Sequence, residues 1–568
     1  MESLGKSFRS IILGLACFAI LLSWLLPSHF RPWATAYQEL LAAIGLLLVC
    51  AALLVIRDCR LPLASILIAC LAVIPVLQLS AGILNYAGDA WISVSYILAL
   101  ALAIFAGYNL QVTSQGQSST AFAEHIAWTL LLGCVISAVL AVIQWLGFAS
   151  FEWISPIQNP ARPFANLAQP NNLATLLGMG LMSLLFLFEQ RKIYRLPAVL
   201  LALFLLFGLA LTQSRTPWLT AIFIFGFWFW QQRHLKLRVT TRQMLLWGLI
   251  YTALVVSVPL LTEYLGIGDG SLMDRVQQTA RWTIYQQFIQ AVLQGPWYGY
   301  GWSQVFVAQA AMSLEYSLYV PTFYTHNVLL DLLIWNGPVL GGLIILFTII
   351  WFWRLLSRAN NLTAAYAWLA LSCFIFHSML EYPHAYLLLL IPAGLLLGIL
   401  QASVSHDWSS VRASGVVRLV VVIAVATMTG TIWRDYHLVE LEHQRAVLEV
   451  HDEFVPKHQQ DISRVYLLTN MREYVYFIRA PLRTDYSETQ LAELQAITAR
   501  YPHFYFLLKT AYILAVNDQV DKAHELMLML EGLHQRHNLE RSLSYMLEKT
   551  EEHPDLFKLL ERFGIKPE

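Results

Sequence analysis

A chain of 568 residues with 58% hydrophobic and only 13% charged residues is too apolar for a soluble globular protein. Its 36 basic and 36 acidic side chains cancel, so composition offers no cationic surface for nucleic acid. The six cysteines sit singly, five in apolar runs and Cys59 in a short loop, and show neither a disulfide framework nor zinc-ligand spacing.

Apolar stretches of about 17–25 residues, the length a helix needs to cross a bilayer, recur along the first three quarters of the chain. They fall at 8–26, 37–56, 63–83, 91–108, 126–146, 172–188, 196–212, 217–231, 244–261, 327–353, 364–380, 385–400 and 417–433, which is about 13 transmembrane helices. The first is too long, and lacks the small-residue cleavage site, for a signal peptide, so it reads as a retained helix. The eighth is short, and Asn336-Gly337-Pro338 interrupts the tenth. With the N-terminus inside, the inner segments hold fifteen Lys and Arg residues and the outer segments before residue 434 only Arg31, Arg162, Arg215, Arg275 and Arg281. The large loop Thr262–Thr325 then lies outside. An odd number of spans puts residues 434–568 outside as well. In that tail, Thr489–Arg500, Phe504–Asn517 and Val520–His534 carry apolar residues at helical spacing, with breaks at Tyr501-Pro502 and Asn517-Asp518. The expectation is an all-α polytopic membrane protein. A membrane domain occupies 1–433, including loop 262–325. A helical outer domain occupies 434–568, either tetratricopeptide-like or a simple cap.

Five polar clusters reach the outer face. The first is Arg162-Pro163-Phe164-Ala165-Asn166-Leu167-Ala168-Gln169-Pro170-Asn171-Asn172. Its prolines start a helix near Asn171, whose free N–H groups suit an anion; plain capping by Asn171 is the alternative. The second is Thr212-Gln213-Ser214-Arg215-Thr216-Pro217, where Arg215 either clamps a phosphate or snorkels to the interface. The third is a helix from about Ser271 to Leu293, followed by Pro296-Trp297-Tyr298-Gly299-Tyr300-Gly301. There Arg281 shares a stripe with Tyr285, Phe288 and Val292 and needs a partner, while Arg275 lies off the stripe. An interfacial helix lying on the bilayer is the alternative. The fourth is Tyr324-Thr325-His326-Asn327, which places a histidine where a general base has to be. Asp331 sits roughly 140° around the helix from it and is a poor orienting partner. The fifth is His377-Ser378-Met379-Leu380-Glu381-Tyr382-Pro383, the turn between two spans. Five clusters at one face suit an enzyme that works on a lipid-anchored substrate.

Asn166-Leu167-Ala168-Gln169-Pro170-Asn171, Ser214-Arg215, Arg281…Pro296…Gly299…Gly301, Thr325-His326-Asn327 and His377…Glu381-Tyr382-Pro383 occur in the order seen in bacterial O-oligosaccharyltransferases. That family shares a superfamily with the O-antigen ligases and O-antigen polymerases. The resemblance covers about residues 1–433. The Gln-Pro-Asn and Glu-Tyr-Pro elements and the polar tail are similar to the protein-glycosylating branch. The resemblance implies a multi-pass protein of the bacterial inner membrane with its active site facing the periplasm. It implies a glycan donor on undecaprenyl diphosphate, a serine or threonine acceptor on a periplasmic, pilin-like protein, no cofactor and no metal. It implies that Gln169, His326 and Tyr382 are critical for activity. Arg215 and Arg281 become diphosphate contacts, with Arg162, Asn171 and Glu381 as further substrate-binding candidates. Two departures stand out: Ala165 where the family usually has Gly, and Asn172 where it often has His.

Chemistry of this kind asks for two things. Charge growing on the lipid diphosphate must be neutralised, which preorganised arginines do. The acceptor hydroxyl must be aimed at the anomeric carbon. His326 is the expected base, Gln169 holds the sugar or acceptor, and Tyr382 orients His326 or the acceptor. Displacement would be direct and inverting. An O-antigen ligase or polymerase, with the same donor and a glycan or lipid acceptor, is the first rival. A transporter or flippase is the second, but transporters gather polar residues near the midplane rather than at one face.

Overall fold

A computed structural model describes residues 2–114, 121–148, 152–157, 162–267, 277–317, 319, 321–404, 411–450 and 462–566; the side chains at 2–6 and 277–281 lie outside that description. All thirteen apolar stretches are helical. Ten of the helices are long and apolar enough to cross a membrane. The other three, Arg195–Leu211, Thr216–Gln231 and Leu362–Ser378, have 17, 16 and 17 residues. At 1.5 Å per residue they reach about 24–26 Å, short of the roughly 30 Å hydrocarbon core. Among the described residues ten helices thus have the length on their own, and the remaining three apolar stretches form helices that are shorter. Among the described residues the only strands are Cys59–Leu61 and Val411–Ala413, an antiparallel pair with Cys59 opposite Ala413. The chain is an all-helical polytopic membrane protein.

Packing groups the residues into two compact units. The first comprises 1–73, 95–272 and 348–433. Its centre is the helix Leu387–Val404, apolar on every face and buried along nearly its whole length. It packs on Ala36–Ala52, Leu362–Ser378 and Ala121–Trp145. It also touches the Ala87–Ser114 helix backbone to backbone. A Cβ on Gly107 would lie 2.4 Å from Leu395 O, and one on Gly398 would lie 2.4 Å from Ile104 O. Small residues allow that approach, which apolar packing in a bilayer rewards. Glu39 is buried and accepts the Leu387 N–H at 3.0 Å, Tyr96 OH at 2.5 Å and Thr35 Oγ1 at 3.0 Å. It thus satisfies a free donor at the start of the central helix.

The second unit comprises 74–94, 273–347 and 434–568. Its tail helices include Glu488–Arg500, Phe504–Val516 and Val520–His534, within a residue of the boundaries expected from periodicity. Composition divides the chain near 433. Packing additionally carries the loop residues described from 277 onward with the tail, and Ala310 from the loop helix Val305–Met312 lies in the tail's apolar core.

The long helix Val328–Ser357 breaks at Gly337, where φ is 75° and ψ 170°, as Asn336-Gly337-Pro338 foretells. The break frees carbonyls, and the 296–301 loop fills them. Tyr300 N donates to Ile334 O at 2.8 Å and Gly301 N to Trp335 O at 3.2 Å. Gln78 Nε2 adds a bond to Trp335 O at 2.8 Å and its Oε1 accepts Trp302 N at 3.0 Å. A Cβ on Gly299 would lie 2.4 Å from Gly337 N. Gly299 of the third cluster is therefore explained by this backbone contact.

Candidate functional site

The first cluster is built by two side-chain amides. Gln144, buried in the apolar helix Ala121–Trp145, accepts Phe164 N at 3.1 Å and Ala165 N at 2.7 Å, and donates to Ala165 O at 2.7 Å and Ser155 O at 2.9 Å. Asn166 donates to Leu25 O at 2.6 Å and Trp153 O at 2.9 Å and accepts Ser155 N at 2.9 Å. Ala165 and Ala168 take φ of 53° and 65°. Left-handed alanine costs about 1–2 kcal/mol relative to its right-handed form. Here Gln144 grips Ala165 at both its N–H and its carbonyl. Asn172, the second departure, closes the turn by donating to Leu167 O at 3.1 Å and accepting Gln169 Nε2 at 3.4 Å.

Gln169 is the N-cap of the helix Pro170–Glu189, with Pro170 at its first position. One residue on, Asn171 bridges two distant segments. Ser214 Oγ donates to Asn171 Oδ1 at 2.7 Å, and Asn171 Nδ2 donates to Glu381 Oε1 at 3.2 Å. Ser214 and Glu381 are both buried. Arg162 Nε donates to Thr212 O at 3.3 Å. The first, second and fifth clusters are thus bonded together, and the Asn171 amide is committed to neighbouring segments rather than to its own helix. Arg215, N-cap of the helix Thr216–Gln231, stands exposed beside Ser214. Tyr382 is half-buried and stacks on Tyr386 at 6.1 Å. Burial and then the neighbouring Glu381 carboxylate push its phenol above the usual range, against a hydrogen bond with Tyr386. It therefore offers a protonated hydroxyl, a donor and not a base. His377 is fully buried and pairs with Thr175 Oγ1 at 2.7 Å, tying Leu362–Ser378 to Pro170–Glu189.

His326 belongs to the second unit, with Tyr285 and Asp331. It takes a φ of 60°, a strained conformation for a residue other than Gly. Its neighbours hold it there. Asn327 Oδ1 caps the following helix by accepting Leu329 N at 3.0 Å and Leu330 N at 3.3 Å. Asp331 Oδ1 accepts Thr325 N at 2.8 Å, which gives that carboxylate a task on the backbone of the loop. Tyr285 OH donates to His326 O at 3.2 Å, so the third and fourth clusters meet. Thr322 Oγ1 donates to Tyr324 O at 2.6 Å and stands 3.3 Å from His326 Nε2. With its proton so used, the hydroxyl is an acceptor toward the ring. Arg281 lies in the helix Gln277–Gln294, with its side chain outside the described residues; Arg275 and Ser271 are outside them altogether. On that helix Phe288 is fully buried and Tyr285 and Val292 half-buried, as the stripe requires.

Sequence reasoning passed over Gln144 and Thr322. A lone amide inside an apolar span is itself a signal, since the bilayer penalises it unless it has work to do. Thr322 carries no such signal, because a threonine in a polar loop is unremarked.

Three family models match the chain. One described as protein glycosylation ligase matches residues 163–188, one described as O-antigen ligase matches 200–347, and one described as virulence factor membrane-bound polymerase, C-terminal, matches 365–542. Cluster one past Arg162, clusters two to four, and cluster five fall respectively within them. A general O-oligosaccharyltransferase of Acinetobacter baylyi is 29% identical over 544 residues, 93% of each chain. A ComP-specific O-oligosaccharyltransferase of the same organism is 27% identical over 407 residues, 70% of this chain and 72% of that protein. No solved structure matches.

Proposed function

From a chain that is an O-oligosaccharyltransferase of the O-antigen ligase superfamily, we propose that it moves a preassembled glycan from undecaprenyl diphosphate to serine or threonine hydroxyls of a periplasmic, pilin-like protein. The acceptor oxygen bonds to the anomeric carbon as the bond from that carbon to the diphosphate oxygen breaks. Undecaprenyl diphosphate leaves, the hydroxyl proton passes to the His326 imidazole, and the anomeric centre inverts. General-base help of this kind contributes typically 10²–10⁴-fold. Arg215 and Arg281 neutralise the diphosphate through planar forks, with Arg162 and Asn171 beside the first of them. Gln169 holds the sugar and Tyr382 donates to the acceptor. Thirteen spans, an inner-membrane setting, the outer placement of loop 262–325 and of the tail, and a tetratricopeptide-like character for 434–568 belong to the same reading.

The observation that carries the proposal is the Ser214–Asn171–Glu381 chain, which joins three clusters separated by 43 and 210 residues. Groups that share no local structural reason to meet are bonded where the exposed Arg215 stands. The acceptor class rests on the protein-glycosylating relatives. The test is the intact mass of periplasmic proteins from cells with the chain, without it, and with His326→Ala. A glycan-sized increment should vanish in the last two. An increment that persists in His326→Ala at normal membrane abundance removes the base assignment. An increment on lipid or polysaccharide, and on no protein, favours the ligase or polymerase reading.

A further inference from the structure

The tail joins the rest of the second unit through a buried ion pair. Arg500, the last residue of its helix, places Nε and Nη2 on the two carboxylate oxygens of Asp89, both at 2.8 Å. Asp89 lies in the first turn of Ala87–Ser114, and both side chains are buried. Asn470 Nδ2 donates to Asp89 Oδ1 at 3.1 Å and to Tyr501 OH at 3.0 Å. Gly88 N donates to Thr469 Oγ1 at 2.9 Å. Desolvation makes such a pair weak as a source of stability; what its fork geometry supplies is register. That register sets where the next three residues go.

Tyr501-Pro502-His503 turns the chain into Phe504–Val516, and the turn lands on the His326 loop. The His503 ring stands 5.2 Å from Phe306 at 90° and 5.6 Å from Phe323 at 64°. Phe306 and Phe323 close the triangle at 4.9 Å and 83°. Edge-to-face contacts of this kind fix ring positions. Tyr324 lies near enough to Arg500 to interact with it electrostatically. On the same side Gln309 Oε1 accepts Thr322 N at 3.0 Å, and Gln309 precedes Ala310 of the tail's core. A Cβ on Gly532 would lie 2.4 Å from Ser313 O, so the tail abuts the end of that loop helix as well. The first half of the segment 322–326 is thus held from the tail side, and its second half by Asn327 and Asp331.

We propose that the tail is part of the reaction machinery: Arg500, through Asp89, and His503, through Phe323, are positioning residues that hold the 322–326 segment and so aim the His326 imidazole. The proposal rests on the reading of His326 as base. It separates from an acceptor-docking role for the tail, because docking leaves transfer to a small acceptor intact, whereas positioning is needed for every acceptor.

The experiment uses the full-length detergent-solubilised enzyme, an undecaprenyl-diphosphate-linked oligosaccharide and a short serine peptide, with kcat and KM measured separately. A displacement of about 1 Å in a reacting group costs roughly 100-fold in rate. His503→Ala is expected to lower kcat by about that factor and leave both KM values unchanged, while His503→Phe, which keeps a ring, recovers most of the rate. Arg500→Gln should behave like His503→Ala, and Arg500→Lys should recover only a part, because an ammonium cannot make the fork. Wild-type kcat on the peptide in abundant, monodisperse His503→Ala and Arg500→Gln overturns the proposal. So does a loss confined to KM for a folded acceptor. Should Arg500→Gln not accumulate, Phe323→Ala tests the same contact on an exposed ring, and wild-type kcat there is equally fatal. Wild-type transfer by His326→Ala overturns the base reading itself, and the proposal with it.

Discussion

Replacing Asn171 by Ala cuts both links of the Ser214–Asn171–Glu381 chain. Each hydrogen bond contributes about 1 kcal/mol net, and a buried partner left unsatisfied raises the loss to roughly 1–3 kcal/mol. Ser214 and Glu381 are buried, so after local rearrangement each lost link costs about 1–1.5 kcal/mol. A total of about 2–3 kcal/mol, at 1.36 kcal/mol per decade, corresponds to roughly a 100-fold fall in kcat/KM if the joined geometry is required in the transition state. Ser214→Ala removes one link and should cost about fivefold on the same scale. The double variant should cost no more than Asn171→Ala alone, a coupling of about 1 kcal/mol, as expected for residues in direct contact. Asn171→Asp keeps an acceptor for Ser214 and sets a second carboxylate against Glu381, so it should not rescue. The assay is the initial rate of glycan transfer to a serine peptide, normalised to folded enzyme by size exclusion. Purely additive losses, or wild-type kinetics in Asn171→Ala, would refute the reasoning and leave the three clusters as neighbours of no catalytic consequence.

Arg215→Ala should weaken donor use, and Arg215→Lys should restore only part of it, because an ammonium cannot reproduce the fork of the exposed guanidinium; unchanged donor KM in the Ala variant withdraws the proposed diphosphate contact. Gly337→Ala should abolish accumulation of folded protein, since a Cβ there would sit 1.9 Å from Trp297 O at a φ of 75°; normal abundance in a membrane fraction would contradict the packed helix break. Reporter fusions at Arg238 and Arg354 should read cytoplasmic and a fusion after Asp435 periplasmic; a cytoplasmic tail would mean an even number of spans.

Much of this protein is written locally. Thirteen apolar stretches name their helices because bilayer thickness and helical rise together set a length that a reader can count. Asn336-Gly337-Pro338 announces its break, and Tyr501-Pro502 and Asn517-Asp518 announce theirs, because proline and left-handed positions act on their own backbone. Helix rotation does not reach His326, which stands before the helix Val328–Ser357 at a φ of 60°, while Asp331 Oδ1 accepts Thr325 N. What periodicity does not encode is which distant segments share a site. Asn171 reads as a helix cap until Ser214 and Glu381 arrive beside it. Gln144 reads as an oddity in an apolar run until Ala165 is found in its grip. Composition sets the polar tail apart at 433. Yet Arg500 reaches back 411 residues to Asp89, and the described loop residues that carry His326 pack with the tail. Helix formation depends on neighbours three and four residues away, so one strand of text determines it. The pairing of buried polar groups depends on which surfaces meet, and tertiary structure alone decides that.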